Sequence, residues 1–178
     1  MAFNLSLLIY DQVSIQYGTS REVSELIDLL PMFITSDESF GFDHIFCVGV
    51  SLGGHATYHV LSDDPRVSAG VVIIGCPDVA ALMEERASKN DFERKLPPSF
   101  RETARRLSPK LEEVAKKGIL ILRDIEDTLV PWGPSEIFVN KLPKEKTRIV
   151  GYEGIGHELT QAMMQDTAKW ICDVRHGT

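Results

Sequence analysis

The hydrophobic positions of this chain follow two rhythms that alternate along its length. Residues 5–10, 44–50, 67–74, 118–122 and 147–151 are short apolar runs rich in Val, Ile and Leu, continuous rather than alternating. Strands covered on both faces read this way, because neither side meets water. Between the runs the period is helical. Residues 19–32 place Val23, Leu26, Ile27 and Leu30 on one face behind Ser20 as a predicted cap. Residues 51–61 follow a strand directly, residues 79–89 open behind Asp78 as a predicted N-cap, and residues 135–141 are short. Residues 158–174 close the chain with Leu159, Ala162, Met163 and Trp170 on one stripe. Strands alternating with helices predict an α/β fold, a mostly parallel sheet of about five strands flanked by helices. One domain spanning residues 1–178 accommodates it. Residues 91–117 break the rhythm. They are charged, carry Pro97-Pro98 and Pro109, and read either as a surface excursion or as a small lid-like insertion over a site.

Composition changes this picture by exclusion. Apolar residues are 43% and charged residues 25% of the chain, as in an ordinary globular protein and unlike a disordered one. The net charge is −7 and no Lys/Arg run appears, so nucleic acid and anionic membranes are not expected partners. Cys47, Cys76 and Cys172 form neither a CxxC nor a metal-ligand spacing, and reduced thiols predict a cytoplasmic protein. The first ten residues lack a basic n-region and a cleavage site, and no apolar run approaches the ~18–20 residues that span a bilayer.

Candidate chemistry sits at the ends of the predicted strands. Gly49-Val50-Ser51-Leu52-Gly53 is a G-x-S-x-G sequence between a strand and a helix. A serine in so sharp a turn projects its hydroxyl above the sheet, the flanking glycines avoid a Cβ clash, and the helix start offers N–H groups to developing negative charge. A serine nucleophile needs a base, and the base an orienting acid. After residues 118–122 comes a loop with Asp124, Glu126 and Asp127. Asp127 is the candidate acid and Asp124 the alternative. After residues 147–151 comes a Gly-rich turn with His157, the candidate base. Cys76 and Pro77, at the end of another strand, are candidate substrate-lining residues. His55 and His59 share a helix face, but the Glu of H-E-x-x-H and a third ligand are missing, so no metal site is predicted and His55 is expected to pack behind the elbow.

With Gly49-Val50-Ser51-Leu52-Gly53-Gly54-His55, Asp127-Thr128-Leu129-Val130-Pro131 and Gly156-His157-Glu158 in this order, the chain resembles the α/β-hydrolase superfamily of serine hydrolases. Residues 69–78, AGVVIIGCPD, are similar to fungal-type members. The resemblance implies a Ser-His-Asp triad of Ser51, His157 and Asp127, an acyl-enzyme formed from a small-molecule ester or related acyl substrate, and no cofactor. It also implies several strands before the elbow and a loop that supplies a second oxyanion donor. Only 50 residues precede Ser51, so a truncated form of the fold is expected. The Leu52 N–H is then the first oxyanion donor, and the second has no candidate. The same shortness predicts an open sheet edge and a homodimer through it. Two other functions fit these residues: a non-hydrolytic lyase, cyclase or acyltransferase on the same fold, and a non-catalytic binding module.

Overall fold

Four strands pair in chain order. β1 (Ile45–Val50), β2 (Val67–Ile73), β3 (Gly118–Asp124) and β4 (Thr147–Tyr152) form a parallel sheet ordered β1-β2-β3-β4. In this computed structural model the residues described are 5–37, 40–89 and 96–176, with side chains from 11 to 175. The helices are α1 (Leu5–Ile34), α2 (Leu52–Asp63), α3 (Val79–Lys89), α4 (Pro98–Leu107), α5 (Leu111–Val114), α6 (Gly133–Val139) and α7 (Gln161–His176). Among the described residues, no helix is long and apolar enough to cross a membrane.

The continuous apolar character of β2 and β3 has a simple cause: both faces of the sheet are covered. Val72, Ile119 and Ile121 pack with Tyr58 and Leu61 of α2 and Val139 of α6. Ala69, Val71, Leu120 and Leu122 pack with Met163 and Trp170 of α7 on the other face. The register sets Val50 beside Ile73, Ile73 beside Leu122, and Leu122 beside Val150. The C-terminal ends of the strands therefore lie side by side, and the connections leaving them share one rim of the sheet.

The strand expected at residues 5–10 does not form, which leaves four strands rather than five. Those residues are the first turns of α1, a helix of 30 residues that also absorbs the one expected at 19–32. No glycine or proline falls between residues 5 and 17, and a short apolar run alone does not distinguish strand from helix. Among the described side chains, α1 buries Val13, Gln16 and Ser20, two of them polar, so its period is faint in the sequence. Ser20 is no cap; it lies inside the helix with its hydroxyl donating to the Tyr17 carbonyl at 2.8 Å.

Of residues 91–117, the stretch 91–95 lies outside the described residues, and most of the remainder is α4 and α5. The α4 helix buries Phe100 and Ala104 in a cluster with Cys76, Leu82, Met83 and Val130. Its charged residues occupy the outer face, which accounts for the composition of this stretch.

At the opposite end of the molecule Arg66 ties α1 to the α2–β2 turn. Its guanidinium contacts Asp28, donates to the Ser24 carbonyl at 3.1 Å, and grips both oxygens of Asp64 at 3.0 and 2.8 Å. The Asp64 side chain is 3% exposed, and these bonds hold its carboxyl down at about 2. A carboxylate whose folded pKa is depressed contributes stability above its unfolded value near 4, and loses it as pH falls toward 2. Arg66 is 41% exposed, so Arg66→Ala should cost about 1–2 kcal/mol in urea unfolding at neutral pH. The gap between wild type and variant should narrow as pH falls from 4 to 2. A gap that stays constant over that range would show that Asp64 is not its source.

Candidate active site

Ser51 connects β1 to α2 at φ 52° and ψ −111°, a conformation that a residue with a side chain rarely adopts. Its N–H donates to the Ile73 carbonyl at 2.9 Å, and its own carbonyl receives the His55 N–H at 3.0 Å. Both neighbours of the turn are thus fixed, and the hydroxyl is left facing outward from the rim. Close approach explains the glycines. A Cβ on Gly49 would run into the Gly53 carbonyl, and one on Gly54 would sit 2.8 Å from the Ile73 oxygen and 3.1 Å from Gly75 Cα. Gly53 differs from expectation, because a Cβ there would meet nothing within 4 Å. The crowded pair is Gly49 and Gly54.

The three candidate residues meet. Ser51 Oγ lies 2.7 Å from His157 Nε2, and His157 Nδ1 lies 2.8 Å from Asp127 Oδ2. A carboxylate only accepts, so Nδ1 carries the proton and Nε2 is left to accept from the serine hydroxyl. The other Asp127 oxygen accepts the backbone N–H groups of Leu129 and Val130, each at 2.8 Å. The Asp127 side chain is 2% exposed and that of His157 19%, so the acid is sealed in while the imidazole reaches the surface.

Asp124, the alternative acid, is placed elsewhere. Its Oδ2 receives the Glu158 N–H at 3.4 Å, its Oδ1 is buried without a partner, and burial raises its pKa. His55 packs behind the elbow, as expected. Its Nδ1 lies 2.7 Å from the Cys76 N–H nitrogen, and burial pulls its pKa down to about 4. A neutral ring thus bonds to the turn that follows β2, with the Cys76 carbonyl oxygen also 2.9 Å from Nδ1. Cys76 and Pro77 lie on that turn and are both buried. The Cys76 thiol donates to the Asp78 carbonyl at 3.4 Å and packs with Val79 and Leu82, so it supports the site from beneath. The Leu52 N–H belongs to the first turn of α2, next to the serine. The grip of Leu129 and Val130 on Asp127 was missed in the sequence, because a backbone donor leaves no mark on residue identity.

No family model matches the chain. Over 138 residues it is 23% identical to the putative esterase YitV of Bacillus subtilis (strain 168), covering 69% of this chain and 54% of that protein. The chain thus spans about half the length of the curated relative it matches. Among solved structures, the acylaminoacyl peptidase of Pyrococcus horikoshii aligns with a TM-score of 0.60 at 18% identity, over 82% of this chain and 26% of that one. SOBER1 of Arabidopsis thaliana aligns with a TM-score of 0.56 at 20% identity, over 88% of this chain and 62% of that one. The fold of this chain is of the α/β-hydrolase type. Within that fold the serine elbow, the acid loop and the histidine loop leave the ends of β1, β3 and β4.

The packing at the elbow is directly testable. Gly54→Ala should push α2 off the end of β2 and destabilise the protein by about 1–3 kcal/mol. Gly53→Ala, in open space, should change stability far less. Equal denaturation midpoints for the two variants would contradict the close approach.

Proposed function

We propose that the chain is a serine hydrolase acting on a carboxylic ester or a related small acyl compound. The observation that carries this reading is the continuous hydrogen-bond relay from Ser51 through His157 to Asp127. Ser51 Oγ attacks the substrate carbonyl while His157 Nε2 takes its proton. The imidazolium then donates that proton to the leaving oxygen, and an acyl-enzyme remains on Ser51. Water repeats the sequence with His157 as base and releases the acid. Asp127 holds the imidazole tautomer and stabilises the imidazolium, and the Leu52 N–H is the first oxyanion donor.

The putative esterase among the relatives agrees with this chemistry. Three cysteines without disulfide partners fit a cytoplasmic location. The aligned relay favours hydrolysis over a non-catalytic module, since a binding role requires no imidazole between serine and carboxylate.

Wild type should react with a fluorophosphonate probe at Ser51 and hydrolyse short p-nitrophenyl esters. Ser51→Ala should lose both. Asp127→Asn should lower kcat by on the order of 10³–10⁴, because the amide favours the wrong tautomer. Equal labelling of wild type and Ser51→Ala, or no labelling of folded wild type, would sink the assignment.

The open edge supports a second proposal, a homodimer through β1. Among the described residues β1 pairs only with β2, and its six residues carry no charge or proline to discourage further pairing. Val48 is exposed on β1, and the last turns of α1 expose Leu26, Leu30 and Phe33. Light scattering should give twice the mass of one chain, and Val48→Lys should return it to one. A single-chain mass for wild type across a wide concentration range would refute the dimer.

A further inference from the structure

The helix α3 carries an arginine where its pattern calls for an apolar residue. Val79, Leu82 and Met83 are buried, and Arg86 falls on the same stripe, seven residues after Val79. Its guanidinium is drawn partly out of water, and burial lowers its pKa. An arginine in that position requires a specific polar partner. One such partner is the carbonyl of Leu129, which receives both Nε, at 2.9 Å, and Nη2.

Leu129 is no ordinary loop residue. Its N–H and that of Val130 hold Asp127 Oδ1, while Asp127 Oδ2 holds His157. The peptide groups around Leu129 are therefore gripped from two sides, by the carboxylate through N–H and by the guanidinium through C=O. Arg86 also lies within electrostatic reach of Asp127. Two guanidinium N–H groups on one oxygen fix direction as well as distance, which a lysine ammonium does not reproduce.

We propose that Arg86 is a positioning residue for the Ser51–His157–Asp127 relay, acting through the Leu129 carbonyl to fix the loop that aims Asp127. The catalytic consequence rests on the serine-hydrolase reading. The structural claim, that Arg86 holds the imidazole–carboxylate bond in place, does not. Without the guanidinium the acid loop gains freedom, Asp127 no longer holds one orientation, and the imidazole loses its alignment to Ser51 Oγ. Because Arg86 acts on the relay, the effect falls on kcat rather than on KM.

The test compares wild type, Arg86→Met and Arg86→Lys by three readouts. Circular dichroism and thermal melting report folding. Steady-state hydrolysis of a short p-nitrophenyl ester separates kcat from KM. Proton NMR in water reports the far-downfield resonance of a His157 Nδ1–H bonded to carboxylate, with His157→Gln as the assignment control. Arg86→Met should stay folded, lose or broaden that resonance, and lower kcat by roughly 10–100-fold with KM within a few-fold of wild type. Arg86→Lys should fall between. An intact resonance with unchanged kcat in folded Arg86→Met overturns the proposal, as does a loss confined to KM. Should Arg86→Met fail to fold, Arg86→Lys carries the test, and wild-type resonance and kcat there overturn it equally. Should wild type fail to label at Ser51 or turn over ester, the hydrolase reading fails, while the resonance in the two variants still decides the role of Arg86.

Discussion

Ser51 keeps its left-handed φ because the chain on either side of it has no slack. Its N–H is spent on the Ile73 carbonyl, and its carbonyl begins the hydrogen bonding of α2. The helix can start there only if it approaches β1 at Gly49 and the end of β2 at Gly54 more closely than side chains permit. Local strain of about 1–3 kcal/mol at such a residue persists only where its surroundings overdetermine it. Here they do: the faces of the sheet are packed, and the strand ends cannot move to relieve one torsion. The outcome is a hydroxyl held clear of the sheet beside the first turn of α2.

From that joint the rest of the site follows by register. Parallel strands aligned at their C-terminal ends bring together residues far apart in sequence: Ser51 and His157 are 106 positions apart yet 2.7 Å apart in space. The α7 helix buries one face of the sheet and α2 with α6 the other, while α1 packs on α2, so that the strand ends form a fixed rim. The bond from His55 to the turn after β2 extends this rigidity sideways, joining the elbow helix to the neighbouring connection. A buried, neutral imidazole suits that purpose, since a charged ring in the same place would demand a counter-ion.

What could be read in the sequence divides along physical lines. The inner strands β2 and β3 were legible because burial on both faces forces runs of Val, Ile and Leu; β1 and β4, at the edges, showed as short apolar runs although they are less covered. Ser51, Asp127 and His157 were legible because each follows such a run within a few residues. The helix α1 was not, because its buried stripe includes Gln16 and Ser20, whose polarity hides the helical period. The role of the glycines was half legible. The motif points to Gly49 and Gly53, but crowding by a neighbouring strand end, which a local pattern does not contain, falls on Gly54. Arg86 left a trace, a charge on an apolar stripe, whose meaning depends on a carbonyl contributed from 43 residues away.

The acid loop offered three carboxylates, and their backbone surroundings separate them. Asp127 receives two N–H groups at 2.8 Å on one oxygen and the imidazole on the other, so both of its oxygens are engaged by N–H groups. Asp124 has one long bond and a buried oxygen without a partner, and burial shifts it toward the neutral acid. Glu126 receives the Gly154 N–H at 3.0 Å, at the point where the histidine loop turns through φ 71°. All three therefore reach the same loop, at residues 154, 157 and 158. Only the middle contact falls on the imidazole; the outer two hold the backbone that carries it. A loop of glycines flexible enough to bend back toward Ser51 would otherwise leave His157 free to swing away. Restraint on both sides of the histidine reconciles that flexibility with a fixed ring, and it explains why an acid-rich loop lies beside a glycine-rich one.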